Sequence, residues 1–278
     1  MERTIRLDAR KTAAANAESF YEEAKKAKQK LAGARKALDD TRKKIRDLEE
    51  KHEVSVGVSA PKARREKDKK WFDKFHSFHS SDGFFVIGGK DATTNDILIK
   101  KHTEKDDIVF HADVHGAPFF VVKNPDRKEV PESTLRETGD AAAAYSKAWK
   151  LGVGSCDVYY VTPEQVSKTP PSGEYLGKGA FMINGKKEWL RGLRLQIAVG
   201  FVKGAEESVT VGPASAVEAR TRYLVKVTPG DMKSEELAKQ IKNQALKKAG
   251  KEDAEWIKTV PLEEIQRLIP GGKGRVVP

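Results

Sequence analysis

His111, Asp113 and His115 occupy alternate positions in an apolar stretch, Ile108 to Val114, that ends at Gly116. Alternate residues of a strand share a face. The spacing therefore predicts three polar side chains pointing one way, with Ala112 and Val114 turned into a core. Two histidines and a carboxylate suit zinc or iron, but one strand rarely supplies three ligands to one ion without bulging. No other His, Asp and Glu cluster has ligand spacing. There is no Gly-x-Ser-x-Gly nucleophile elbow, and the single cysteine, Cys156, follows no recognisable catalytic pattern. The reading adopted is a polar surface for RNA or for a neighbouring domain, with no catalytic residue, metal or cofactor. A hydrogen-bonded structural cluster and a metal-dependent hydrolase site are the alternatives.

Three other segments carry chemistry. Gly88-Gly89-Lys90, followed by Asp91 and Asn95, resembles a phosphate-binding turn, because small residues let backbone amides approach an anion. It matches neither a Walker A sequence nor Gly-x-Gly-x-x-Gly, so nucleotide hydrolysis is not expected. The Pro- and Gly-rich loop from Pro163 to Lys178 presents Lys168, Ser172 and Tyr175. It suits nucleic acid or a rigid connector. The basic run of Lys62, Arg64, Arg65, Lys67, Lys69 and Lys70, extended by Lys74, suits phosphate or a solvated linker.

The bulk properties favour a polyanionic partner. The 278 residues carry a net charge of +11, and 33% of them are charged. One cysteine excludes an intramolecular disulfide framework and fits a reducing compartment. No apolar run approaches the ~20 residues of a membrane span, and no signal-peptide apolar region opens the chain. The expectation is a cytoplasmic protein with no membrane partner.

The elements that must position these residues fall into four stretches. Residues 12–53 read as one helix with five heptads: Ala17 and Phe20, Ala24 and Ala27, Leu31 and Ala34, Leu38 and Thr41, Ile45 and Leu48. Such a narrow seam needs a partner strand, either a second copy or a segment of a longer protein. Residues 54–70 read as a basic linker, broken by Pro61. Residues 71–230 read as an α+β domain, a mixed sheet with flanking helices. It opens on Trp71, Phe72, Phe75 and Phe78 at near-helical spacing. Strands are predicted at 84–87, 108–114, 119–123, 158–162, 181–183, 193–202, 208–211 and 223–227, with a helix over 132–150. Residues 231–278 read as a helical, basic tail, with helices at 234–248 and 262–268.

WFDKFHSFHSSDGFFVIGGKDATTND, DIVFHADVHGAPFFVVKN, AAAYSKAWKLG and VYYVTPEQVSKTPPSGEYLGKGAFMINGKK together resemble the RNA-binding domain of the NFACT family, NFACT-R, over about Trp71 to Pro229. The preceding helix resembles the second helix of that family's middle coiled coil. The resemblance implies ribosome-associated quality control: binding of a stalled large ribosomal subunit carrying peptidyl-tRNA, and recruitment of tRNA for C-terminal tailing of the nascent chain. The expected partners are large-subunit RNA and tRNA, with the family's N-terminal segment or a second coiled-coil strand as a further contact. The family's N-terminal domain and first coiled-coil helix have no counterpart in this sequence. The expectation is a non-enzymatic RNA- and ribosome-binding part of a longer protein. The alternative is a stand-alone nucleic-acid-binding adaptor with a dimeric coiled coil.

Overall fold

The computed structural model describes residues 8–55, 70–169, 176–204 and 207–277. They divide into two units, residues 1–68 and 69–278. The first is built on α1 (Ala13–Ser55), 43 residues long and about 65 Å from end to end. Its start is fixed locally. The Thr12 hydroxyl accepts the Ala15 amide at 3.2 Å, and buried Asn16 binds the Asp8 amide and three carbonyls, those of Asp8, Lys11 and Thr12. Phe20, Leu31 and Leu38 of the heptad seam are exposed. The side chains of Ile45 and Leu48, and the basic run from Lys62 to Lys69, lie outside the described residues.

The second unit is α+β. In chain order it contains β1 (His76–His79), β2 (Phe85–Gly88), α2 (Ala92–Lys101), β3 (Ile108–Ala112) and β4 (Phe119–Val122). Next come α3 (Glu132–Ala144), α4 (Lys147–Leu151), β5 (Ser155–Val161), β6 (Val166–Ser167), β7 (Met182–Ile183) and β8 (Glu188–Arg194). Last are β9 (Ile197–Phe201), β10 (Val209–Gly212), α5 (Ala214–Glu218), β11 (Leu224–Lys233), α6 (Ser234–Lys248), α7 (Lys251–Thr259), α8 (Leu262–Gln266) and β12 (Lys273–Val277). Six strands form an antiparallel sheet in the order β1-β2-β4-β3-β5-β8, and four more form a second, β10-β9-β11-β12.

Strand alternation gives the first sheet two apolar faces. Phe110, Ala112, Phe120, Val122, Val158 and Leu193 join a large core with α3, the second sheet and the C-terminal helices. Val109, Phe119, Val121, Tyr159 and Val161 join a smaller one, with Leu98 of α2. This second face is where the candidate site lies.

Several expectations change. The aromatic opening is not a helix. Phe75 ends a turn and packs on the smaller core, whereas Phe78, in β1, enters the larger one. The helix expected over 132–150 breaks at Ser146, whose hydroxyl donates to Ala143 O and accepts the Ala148 amide. The strand expected over 193–202 is two strands in different sheets, because the chain crosses between them at 195–196. No boundary falls at residue 230. β11 runs through it, β12 pairs with β11, and Leu237, Ile241, Ile257 and Ile265 are buried in the larger core. The C-terminal stretch is core structure because its amphipathic helices bury those side chains.

Candidate nucleic-acid interface

On the second face of the large sheet, α2 covers the β2–β4 side. The loop before β7 lies beside α2 and leaves the β3–β5 side partly open. The result is a cleft of about 690 Å³ lined by Lys90 to Ala92, Asn95, residues 111–119, Tyr159, residues 176–181 and Lys187. Seven expected residues meet there: Lys90, Asp91, Asn95, His111, Asp113, His115 and Gly116.

His111, Asp113 and His115 share the cleft for a different reason from the one expected. β3 stops at Ala112, so only His111 is on the strand. The Asp113 amide donates to Asp157 O at 2.8 Å, and the Ala117 amide closes a turn onto Val114 O at 3.1 Å. Asp113 and His115 thus ride on an exposed connection. The His111 ring lies against Phe119, 4.5 Å between centroids, and Tyr159, 5.7 Å. Burial pushes its pKa down to about 4, so it is neutral at pH 7. Nε2 lies 3.1 Å from Ala117 O. A carbonyl only accepts, so Nε2 carries the hydrogen and Nδ1 is left as a lone pair. That nitrogen has no hydrogen-bond partner among the described residues. No group of three His, Cys, Asp or Glu converges as a metal site among the described residues.

The Gly88-Gly89-Lys90 turn is not the anion site expected. Its amides are already used. Gly89 N donates to Phe119 O, and the amides of Lys90 and Asp91 both donate to Thr94 Oγ1 at 2.8 Å. The Asp91 carboxylate caps α2 by accepting the Thr94 amide, which holds its pKa below the usual carboxylate value. The glycines serve packing. A Cβ on Gly88 would lie 2.4 Å from the Phe120 ring, and one on Gly89 would lie 1.9 Å from Asn95 Oδ1. Asn95 is a brace, accepting the Phe119 amide at 3.2 Å. The Lys90 ammonium donates to Asp73 O at 3.1 Å.

Lys168 is likewise a fastener rather than an open cation. Its ammonium donates to Gly177 O and Ala180 O at 2.8 and 2.7 Å, and pairs with Asp96 at 3.3 Å. It also stands 4.7 Å above the Phe181 ring. Asp96 accepts the Gly179 amide at 2.9 Å, so Lys168 and Asp96 together hold this loop on α2. Gly179, at φ +76°, has no room for a Cβ, which would lie 2.6 Å from Ala92 Cα. Lys70 and Lys74 stand over the rings of Phe72 and Phe75 at 5.7 and 5.2 Å and are not among the cleft-lining residues. Ser172 and Tyr175 lie outside the described residues.

Residues absent from the expectation complete the site. Lys187 stands 4.4 Å above Tyr159, and Arg191 lies 4.0 Å above Trp189. Arg191 also binds Asp157 at 2.5 Å. The rings are covered by cations, so a ligand meets positive charge held in place by aromatic faces. Around the cleft, Lys147, Lys178 and Lys187 make no ion pair or hydrogen bond among the described residues. Trp189 and Arg191 alternate along β8, with Lys187 one residue before its start, a spacing legible by the same period-2 rule that singled out His111.

Comparison with known proteins gives the family. Residues 74–185 match the family model described as the NFACT protein RNA binding domain. The archaeal Rqc2 homologue aRqcH of Methanocaldococcus jannaschii is 41% identical over 217 residues, 78% of this chain and 31% of that protein. The ribosome quality control complex subunit NEMF of Homo sapiens is 39% identical over 198 residues, 70% of this chain and 18% of that protein. The chain thus spans less than a third of either relative. The solved C-terminal part of the fibronectin/fibrinogen-binding protein from Streptococcus suis covers 65% of this chain and 76% of its own at TM-score 0.37 and 19% identity, too loose a match to bear on function. The chain belongs to the NFACT family, and residues 74–185 are its RNA-binding domain.

Proposed function

We propose that this chain is the RNA- and ribosome-binding part of a ribosome-associated quality control factor, acting without catalysis of its own. Its partners are large-subunit RNA and tRNA in the cytoplasm. In a longer protein it supports tRNA recruitment for C-terminal tailing of a stalled nascent chain. The observation that carries the reading is the set of three lysines, Lys147, Lys178 and Lys187, that stand around one cleft and make no ion pair or hydrogen bond among the described residues. Unpaired lysines beside a cleft attract a polyanion and raise its local concentration. Lys187 and Arg191 cover the aromatic rings, so the surface favours phosphate over base stacking and implies weak sequence preference. The relatives named above are ribosome quality control proteins, which supports the ribosome as the RNA's source.

Sedimentation with purified large ribosomal subunits tests this. The full chain should co-sediment at low salt and release as salt rises. The double variant Lys178→Glu/Lys187→Glu should lose binding at unchanged Tm. Retained binding by a folded double variant would refute the placement of the interface.

A further inference from the structure

The turn from Val114 to Ala117 has two properties that, taken together, narrow the RNA-binding reading. It is closed by the Ala117 amide on Val114 O, and Gly116 sits at φ +71°, in the left-handed region. The amides of His115 and Gly116, the two central residues of the turn, have no partner among the described residues, and both residues are exposed. Consecutive amides around a left-handed residue form a concavity suited to one anionic oxygen cluster.

The second property is a cation beside this turn. A Cβ on Gly116 would lie 2.7 Å from the Lys147 ammonium and 3.2 Å from its Cε. The glycine is what lets Lys147 approach the turn. Its position follows from the break at Ser146, which starts α4 at Lys147 and sets the lysine beside the turn. Lys147 makes no ion pair or hydrogen bond among the described residues. Two free amides and a free ammonium, at the mouth of a cleft also lined by Lys187 just before β8, match the acceptor-rich oxygens of a phosphodiester. The neighbouring Asp113 carboxylate is exposed and opposes an anion, so the seat depends on the Lys147 charge.

We infer that the Val114–Ala117 turn and Lys147 form a seat for a single phosphate of the RNA backbone, placing the adjoining nucleotide in the cleft. The phosphate-binding turn is therefore His115-Gly116 and not Gly88-Gly89-Lys90, whose amides are consumed internally. This inference rests on the RNA-binding reading and narrows it to one turn.

The test is a titration of the isotope-labelled full chain with a uridine dodecamer, followed by amide NMR and by binding isotherms at several salt concentrations. The His115 and Gly116 amides should shift in step with saturation. Lys147→Ala should weaken binding several-fold and reduce the log–log salt slope by about 0.7, the share of one single-strand phosphate. Lys147→Arg should restore both. Lys233→Ala, an exposed lysine on the second sheet, should leave both amide shifts intact. Unmoved amides, or an unchanged slope in Lys147→Ala while wild type binds, would overturn the seat and leave the RNA reading standing. Absence of RNA binding by wild type would overturn both. Inorganic phosphate should leave the two amides in place at concentrations where the dodecamer saturates. Saturation by phosphate alone at those concentrations would mark a free-anion site and overturn the backbone assignment.

Discussion

Acidification from pH 7 to pH 5 should destabilise the second unit through two buried histidines. Burial lowers the pKa of His76 to about 3 and that of His111 to about 4, from 6.5. The Lys90 charge also opposes protonation of His76. His76 is half-buried and stacked on Tyr145 at 4.0 Å, which removes part of its hydration. The unfolded chain takes up a proton on each histidine below pH 6.5, while the folded chain does not, so stability present above 6.5 is lost as pH falls. At pH 5 each histidine is about 1.5 pH units below its unfolded pKa, which costs about 2 kcal/mol at ~1.4 kcal/mol per unit. Asp140 acts the other way. Burial raises its pKa to about 6, so the folded state binds its proton first and recovers about 1 kcal/mol between pH 7 and 5. The expected net loss from these three groups is about 2–3 kcal/mol, and His79 and His102, whose pKa values burial also lowers, add to it in the same direction. Asp91, Asp157 and Asp253 contribute little in this window, because hydrogen bonds hold their pKa values below the usual carboxylate value. Urea unfolding followed by tryptophan fluorescence at both pH values measures the loss directly. His76→Phe should remove about half of the histidine contribution. A midpoint that does not fall, or a full pH dependence in His76→Phe, would refute the reasoning.

Lys168→Met removes two carbonyl contacts and an ion pair at a partly exposed site. It should cost about 1 kcal/mol, speed exchange of the Gly179 amide and weaken RNA binding by loosening one wall of the cleft. Gly89→Ala sets a methyl group 1.9 Å from Asn95 Oδ1. It should lower stability by about 1–3 kcal/mol while leaving the salt slope of RNA binding unchanged, because that turn offers no free amide.

Much of this arrangement was legible in the sequence, and the failures have physical causes. The period-2 rule brought His111, Asp113 and His115 together, yet the strand ends at Ala112. What unites the three is a glycine turn, whose conformation alternation does not encode. The same rule applied to Lys187, Trp189 and Arg191 would have singled out Lys187, which lines the cleft. Gly88-Gly89 looked like an anion turn because small residues permit close approach. The sequence could not say that the close neighbours are Phe120 and Asn95 rather than a ligand. Lys168 read as an exposed base because its acceptors, Gly177 O and Ala180 O, come from backbone across a loop and leave no side-chain signature. Ser146 was a readable signal, since a capping serine inside a helical pattern offers the next turn a new start. The C-terminal strand was hidden by Gly271, Gly272 and Gly274. A Cβ on Gly274 would crowd Thr228 O at 3.0 Å, so this glycine serves sheet pairing and not a loose end.

The most direct test of the interface is ultraviolet cross-linking of the full chain to large ribosomal subunits, with the adducted peptides located by mass spectrometry. Adducts concentrated in residues 111–119, 147–159 and 176–191 are the predicted result. Adducts confined to residues 207–277, with the cleft peptides recovered unmodified, would contradict it.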